Sequence, residues 1–239
     1  MLDPADTGPA CLSLCQDVQG EIFDYPEEFF KERIHNIRRP KPDDFQIKQA
    51  MEKIKKSKKP IIISGGGVFY SDAMDELGSF AIKHNIPVTQ TVMGYSTMKR
   101  DHSHFLGPIG GLGGRAANNL AKETDLAICV GTKLADFTTG SWANFENPEF
   151  KLVSINIARH DANKHLADAV IGDAKVCLSE LSNSLGNWKS PDSWHKKSQD
   201  ELKSWNEYVD KESGPTNQET PNYAPVSYTH LRAHETVSD

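Results

Sequence analysis

Two short apolar runs constrain the fold of this chain more than any other feature of its sequence. Residues 60–64 read PIIIS and residues 126–130 read LAICV, and a glycine follows each run at once. Strands that are apolar throughout, rather than alternately apolar and polar, are typical of parallel sheets with helices on both faces. We therefore predict that both runs are buried strands of a parallel sheet.

The segments around these runs have the alternating order of a doubly wound α/β fold. Apolar spacing, capping residues and terminal charges predict these further elements: a helix at 42–56, a helix at 72–84 capped by Ser71, a strand at 86–92, a turn at 105–114, a helix at 115–122, strands at 152–157 and 169–171, and a helix at 174–185. Together they predict a parallel sheet of about five or six strands flanked by helices, with right-handed crossovers.

Composition excludes several classes of partner. The chain has 239 residues and a formal net charge of −6. Because it shows no basic face studded with aromatic residues, we expect no nucleic-acid partner. Its apolar runs are shorter than the roughly 20 residues of a membrane span, and its first residues lack the regions of a signal peptide, so we expect a cytoplasmic protein without a membrane partner. The four cysteines, Cys11, Cys15, Cys129 and Cys177, form no CxxC pair and are predicted to be buried thiols.

Glycines are concentrated in two places where a strand or turn gives way to a helix. Gly65, Gly66 and Gly67 follow PIIIS, and residues 107–114 contain five more glycines. Glycines at such a turn let a pyrophosphate approach the backbone, but GGGVFYS lacks the GxGxxG spacing of dinucleotide-binding proteins. Nucleotide contact and close packing between chain segments are therefore both open interpretations, and packing is the favoured one at Gly65–Gly67.

The remaining polar clusters predict no self-contained catalytic site. His102 and His104 form an HxH pair without a third ligand at useful spacing, so we expect solvated loop histidines rather than a metal site. The lysines between residues 53 and 59 are expected to be a solvated helix end. Side chains that could contact a ligand at a strand's carboxyl end, but more often serve turns, are Asp136, Thr138, Thr139 and Ser141. The residues alone thus predict an α/β domain with a ligand or interface edge.

Both ends of the chain carry segments outside this domain. Residues 10–14 are predicted to be a strand that pairs with strands upstream of residue 1. Trp194 and Trp205 lie eleven residues apart, on one face of a predicted helix, and are expected to pack against a missing neighbouring domain. Residues 225–236 resemble an in-frame translation of a transposon-end sequencing adaptor, and the alternative is a natural disordered terminus.

Several stretches are similar to the acetolactate synthase superfamily of thiamine diphosphate-dependent enzymes. GPACLSLCQDVQ resembles the end of their pyrimidine-binding domain, and KPIIISGGGV, IPV and the stretch from Phe105 to Phe137 resemble their central domain. Five stretches resemble one family of the superfamily in particular, the trihydroxycyclohexanedione hydrolases of inositol catabolism. They are DPADTGP, DVQGEIFDYPEEFF, GGGVFYSDA, DFTTGSW and SINIARHDANKH. The resemblance covers nearly all of residues 1–224.

This resemblance implies a hydrolase acting on carbon–carbon bonds in ketonic substances. Such enzymes open the ring of 3D-trihydroxycyclohexane-1,2-dione to give 5-deoxyglucuronate, use thiamine diphosphate and Mg²⁺, and form homo-oligomers. Their thiamine-activating glutamate would lie upstream of residue 1, and their GDG…N motif for magnesium and diphosphate would lie beyond Tyr223. We therefore assign no catalytic, cofactor-binding or metal-binding residue to this chain, and we expect it to be inactive alone and to bind no cofactor tightly.

The resemblance also implies a division into domains. Residues 1–20 would end an upstream pyrimidine-binding domain, 21–42 would be a linker, 43–186 the central Rossmann-like domain, 187–224 a linker and helix toward a diphosphate-binding domain, and 225–239 the adaptor-derived tail.

Three residues depart from the superfamily's pattern. Cys15 replaces a proline, and Asn156 and Ala158 replace the aspartates of flavin-binding relatives, which disfavours flavin or nicotinamide. Two alternative functions stay open. One is a nucleotide-binding module for FAD or NAD, in which residues 107–114 and Asn156 hold the dinucleotide. The other is a fragment of an acetolactate synthase-like carboligase.

Overall fold

A computed structural model describes residues 3–213 of the chain. The predicted adaptor-derived tail lies outside the described residues, as does the end of the predicted linker at 214–224. In chain order the helices and strands are α1 (Asp44–Lys56), β1 (Pro60–Ser64), α2 (Gly66–Tyr70), α3 (Met74–His84), β2 (Val88–Gln90), β3 (Phe105–Pro108), α4 (Arg115–Glu123), β4 (Leu126–Val130), α5 (Asp136–Thr139), β5 (Lys151–Asn156), α6 (Arg159–Ala162), β6 (Asp168–Ile171), α7 (Ala174–Leu185) and α8 (Asp192–Ser213).

The strands form one six-stranded sheet in the order β3-β2-β1-β4-β5-β6, and every neighbouring pair is parallel. The predicted fold class, a doubly wound parallel sheet of five or six strands, is therefore confirmed. The two apolar runs are the central strands β1 and β4, and all of their residues are buried. The strand order reverses between these two strands, so the switch point of the sheet lies there.

Each face of the sheet has its own apolar core. Successive residues of a strand point to opposite faces, and Ile62 accordingly joins one core whereas Ile61 and Ile63 join the other. The face under Ile62 is covered by α1, α3 and α7, which supply Ile54, Phe80 and other buried side chains. The face under Ile61 and Ile63 is covered by α4 and α8. We call these the first face and the second face.

The observed element bounds agree closely with the predicted ones where the chain has strong signals. β1 and β4 have the predicted bounds, and α7 does too. The predicted helix at 72–84 begins later, at Met74, because Ser71 is the C-cap of a short helix that was not predicted, α2. Asp72 then takes a positive φ of 53°, which interrupts helical geometry. β3 was predicted to be a turn, since its four residues include Gly107 and Pro108.

The strand predicted at 10–14 depends on pairing with strands upstream of residue 1, and it stays a prediction. Residues 10–14 form neither helix nor strand, and each of them is exposed. A lone apolar segment has no ladder partner and no face to cover, so its sequence pattern cannot produce a strand by itself. Cys11 and Cys15 are exposed as a result, which contradicts the prediction of buried thiols there. Cys129 and Cys177 are buried as predicted, and burial raises the pKa of the Cys177 thiol to about 12.

The tryptophan-bearing helix packs differently from the prediction. Trp194 is 3% exposed, and its indole N–H donates to the carbonyl oxygen of Pro60 at 2.8 Å. Trp205 lies against Gly114 at the start of α4. Both side chains therefore pack on this domain rather than on a missing neighbour, because the second face needs a cover that α4 alone does not provide. Within residues 3–213, every helix is too short or too polar to cross a membrane.

Candidate functional site

The carboxyl edge of the sheet between β1 and β4 is where an open α/β sheet usually binds ligands. In this chain the loops that follow the two strands are joined directly. The N–H of Gly65 donates to Val130 O at 2.8 Å, and the N–H of Gly67 donates to Gly131 O at 2.9 Å. A Cβ atom on Gly67 would lie 2.6 Å from the Cα atom of Gly131. The glycines after β1 therefore serve close packing between the two loops at the switch point.

The glycines after β3 also serve contacts within the chain. Gly110 has a φ of +100°, and a Cβ atom there would lie 1.9 Å from Phe137 O. The N–H of Gly111 donates to the same oxygen at 2.7 Å. The Asn118 side chain accepts from Gly110 N–H at 2.9 Å and donates to Gly110 O at 3.0 Å. The loop is thus fixed between α4 and α5, two elements of the stretch where the sequence predicts a ligand or interface edge.

The polar side chains that sequence analysis singled out at this edge are engaged in turns. Asn156 donates to Thr132 O at 3.2 Å and accepts from Ala158 N–H at 3.0 Å. Thr139 Oγ1 accepts from Trp142 N–H at 3.2 Å. Thr138 is buried, whereas Asp136 and Ser141 are exposed. The interpretation of residues 136–141 as turn residues fits these contacts, and the side chain of Asn156 is already paired with the backbone of the loops after β4 and β5.

Sequence analysis missed a polar group at the carboxyl ends of β1 and β2. Ser64 Oγ lies 2.7 Å from Thr97 Oγ1 and donates to Thr89 O at 3.1 Å. Gln90 is 5% exposed, and its Oε1 atom is buried without a hydrogen-bond partner in the described structure. An unpaired buried acceptor carries a desolvation cost, so Gln90 can accept a donor from outside the described residues. The sequence signal that could have identified this polar group is the polar residue at the end of each strand, Ser64 in β1 and Gln90 in β2.

Large apolar side chains surround this carboxyl edge and face outward. They lie on α2 and on the loops and short helices that follow β2, β3 and β4, and each is more than half exposed. We call the set the apolar patch: Phe69, Tyr70, Val92, Met93, Tyr95, Leu112 and Phe137. A cluster of exposed aromatic and aliphatic side chains at one edge is typical of a protein contact surface. The side chains at this edge therefore favour contact with another protein surface over catalysis.

His102 and His104 lie away from this edge, before β3. His104 is buried, and its ring stacks on that of His195 with centroids 4.1 Å apart, so the prediction of solvated loop histidines is wrong for His104. The pKa of His104 is lowered to about 4, first by burial and then by the neighbouring His195 and His102. Among residues 3–213, no group of three or more His, Cys, Asp or Glu side chains could hold a metal ion.

A cleft of about 560 Å³ lies at the opposite, amino-terminal edge of the sheet. Lys53 forms an ion pair with Asp168 there, and Asp125 accepts from the backbone N–H groups of Lys58 and Lys59 at 2.8 and 3.1 Å. The predicted solvated lysine cluster is thus partly engaged, whereas Lys55, Lys56 and Lys58 are exposed. Because it faces away from the switch point, this cleft is not the favoured site.

The comparisons with known proteins agree with this architecture. The model of the family "Thiamine pyrophosphate enzyme, central domain" matches residues 47–181. The chain is 48% identical over 185 residues to the 3D-(3,5/4)-trihydroxycyclohexane-1,2-dione hydrolase of Clostridium perfringens strain 13, which covers 77% of this chain and 29% of that protein. It is 44% identical over 211 residues to the protein of the same name from Clostridium botulinum strain Eklund 17B. This match covers 88% of this chain and 33% of that protein.

The chain thus spans about a third of the length of the curated relatives that it matches. The matched family segment, residues 47–181, holds all six strands of the sheet and the switch point between β1 and β4. From the family match, the identities and the parallel sheet together, the chain belongs to the thiamine pyrophosphate enzyme family and carries the central domain of such an enzyme.

Proposed function

We propose that this chain is the central part of a thiamine diphosphate-dependent hydrolase that opens the ring of 3D-trihydroxycyclohexane-1,2-dione to give 5-deoxyglucuronate. The observation that carries the proposal is the 44–48% identity, over most of the chain, to relatives named for that substrate. The cleaved bond is the carbon–carbon bond of a cyclic diketone, which the bound thiamine ring would polarise. Mg²⁺ would hold the diphosphate of the cofactor.

In this proposal the central domain provides scaffold and domain contacts, while the catalytic groups come from the rest of a longer polypeptide. Three observations support the assignment. At the switch point, backbone hydrogen bonds of Gly65 and Gly67 join the loop after β1 to Val130 and Gly131. The side chain of Asn156 is paired with the backbone of the loops after β4 and β5. The apolar patch and the unpaired Gln90 Oε1 lie where a neighbouring domain could cover them. The complete enzyme would be a cytoplasmic homo-oligomer.

The complete gene tests the proposed activity. With the DNA that flanks this coding segment on both sides, it should encode an upstream glutamate and a downstream GDG…N motif. Its purified product, with thiamine diphosphate and Mg²⁺, should convert the cyclic dione to the open-chain acid. A product that instead condenses two pyruvate molecules with loss of CO₂ would assign the chain to an acetolactate synthase-like carboligase.

The 239-residue chain itself tests the proposed scaffold role. With thiamine diphosphate, Mg²⁺ and the dione, we expect no turnover, and any turnover above a no-protein control would contradict the assignment of the catalytic groups. Calorimetry with FAD, NAD and ADP should give no heat of binding, because the glycines after β1 are engaged in contacts with the loop after β4. A micromolar complex with any of them would favour the nucleotide-binding alternative.

A further inference from the structure

Three histidines meet where α8 crosses the segment that leads into β3. The rings of His104 and His195 are stacked, with centroids 4.1 Å apart and an interplanar angle of 20°. The ring of His102 lies 5.8 Å from that of His104. We call these three residues the histidine cluster. Two of them come from the segment before β3 and one from α8, so the cluster joins the edge of the sheet to the helix that covers its second face.

In the histidine cluster, the contacts of His102 and His195 favour neutral rings. His102 Nδ1 accepts from the backbone N–H of His104 at 3.2 Å, which requires that this nitrogen carries no proton. His104 contacts Ser103 Oγ at 2.9 Å and Asn85 Oδ1 at 3.3 Å through its two ring nitrogens. In the described structure His102 Nε2 and His195 Nδ1 are buried without a partner. A proton added to His195 Nδ1 would therefore be a buried donor with no acceptor.

The groups that face the stack offer little compensation for a positive charge. The end of α3 contributes the neutral Asn85, and the segment before β3 contributes His102 and Ser103. On α8 itself, Asp192 raises the pKa of His195, but burial lowers it by more, and the pKa of His195 lies below its ordinary value. Asp192 also accepts a hydrogen bond from Asn85 at 3.1 Å.

Further charges hold α8 at a second place. Glu123 on α4 pairs with Lys59 and with Lys197 of α8. The pKa of Glu123 is lowered, first by its hydrogen bond to Lys197, so this carboxylate keeps its charge under mildly acidic conditions. Mild acid therefore leaves Glu123 charged, and release of the first turns of α8 has to overcome its pair with Lys197.

We propose that the histidine cluster is an acid-sensitive switch that fixes the first turns of α8 on the sheet while the rings are neutral and releases them when the rings are protonated. Release would uncover Trp194, which sits beside His195 and is buried against β1. It would also free Gln199, whose amide donates to Ser103 O at 2.8 Å. Since α8 follows the matched family segment 47–181, release would change the course of the chain beyond the central domain.

The direction of the pH dependence follows from the lowered pKa values. Histidine has an ordinary pKa of 6.5, and His104 in the folded chain has a pKa of about 4. The released state thus binds more protons than the docked state between these values. Docking of α8 is at full strength above the ordinary pKa, weakens as the pH falls below it, and reaches its minimum near the pKa of the docked state.

Hydrogen exchange of the 239-residue chain, followed by mass spectrometry and corrected for the intrinsic pH dependence of exchange, tests the switch. Between about pH 7.5 and about pH 4.5, amides of the first half of α8 should lose roughly tenfold or more of their protection, while amides of β1 and α7 keep theirs. The fluorescence of the buried Trp194 should shift to the red over the same range. An α8 that stays protected to the lower pH, or that loses protection together with β1, overturns the proposal.

Two variants and one control separate proton binding from simple packing. His195→Phe keeps an aromatic ring without a titrating nitrogen and should shrink the pH-dependent loss of protection, and His104→Gln/His195→Phe should abolish it. His160→Gln, at an exposed position on α6, should behave like the parent chain. A double variant with the parent's pH profile refutes the proposal. If the double variant fails to fold, NMR titration of the parent decides. The proposal is overturned if the imidazoles of His104 and His195 titrate at the ordinary value of 6.5 without a loss of protection in α8.

Discussion

The two faces of the sheet are covered by helices that are held in different ways. On the first face, α1, α3 and α7 contact one another as well as the strands, and their apolar side chains form the larger of the two cores. On the second face, α4 is joined by α8, which adds specific polar contacts to its packing. Those contacts are the Trp194 indole on Pro60 O, the Glu123 pair and the histidine cluster.

The difference lies in how far each cover depends on one helix. The first face shares its burial among three helices that lie, almost entirely, within the matched family segment 47–181. The second face depends on α8, which follows that segment and carries few apolar residues besides Trp194 and Leu202. A helix with a small apolar stripe needs directional contacts to fix its position, and such contacts respond to charge and pH. We therefore expect the second face to be the weaker of the two.

Removal of α8 should have the largest effect. A chain that ends at Pro191 keeps Trp188 on the first face and would expose apolar side chains of the second face that cluster with Trp194 and Leu202. Burial of such side chains stabilises a fold by roughly 1.5–3 kcal/mol each, so we expect a loss of about 5 kcal/mol or more in the free energy of unfolding. Urea unfolding followed by circular dichroism measures it. A chain that ends at Ser213 is the control and should match the parent, whereas equal midpoints for both truncations would contradict the dependence on α8.

A matched pair of cavity variants compares the faces at single residues. Phe80→Ala on the first face and Trp194→Ala on the second each remove a large buried ring, at a cost of about 3–5 kcal/mol. We expect Phe80→Ala to lower the protection of all strands in hydrogen exchange, because α1, α3 and α7 share one core. Trp194→Ala should act mainly on α8, because its helix can detach while the first face stays packed. Uniform loss of protection in both variants would show that the faces unfold as one unit.

Sequence reasoning succeeded where the local pattern and the tertiary environment agree. PIIIS and LAICV were predicted to be buried strands of a parallel sheet, and the structure places them at its centre with the predicted bounds. It was weaker where the environment decides. Residues 10–14 have a strand-like composition but no partner, and β3 is an edge strand whose Gly107 and Pro108 indicate a turn.

The candidate site shows the same limit. The glycines after β1 were correctly favoured as packing residues, yet their contact with Gly131 joins loops that are more than 60 residues apart in the chain. The stack of His104 on His195 joins positions still more distant, and no periodicity relates them. Contacts between such distant residues depend on the topology of the fold. A single sequence therefore shows which residue types are present but not which of them are in contact.

The smallest effect is expected at the Glu123 pair, which bridges Lys59 and Lys197 beside the Trp194 ring. Its side chain is 39% exposed, so solvent screens the pair and Glu123→Gln should cost less than about 1 kcal/mol. Because the pKa of Glu123 is lowered in the folded chain, its contribution is present above the ordinary value of 4.5 and is lost as the pH falls below it. Urea midpoints of parent and variant should therefore differ slightly near neutral pH and converge in acid.

The control is Lys203→Gln, which breaks the exposed pair with Glu207 and should leave the midpoint unchanged. A difference between Glu123→Gln and the parent that persists at low pH would show that this side chain stabilises α8 by packing, and the second face would then depend less on charge than the comparison of the two faces implies.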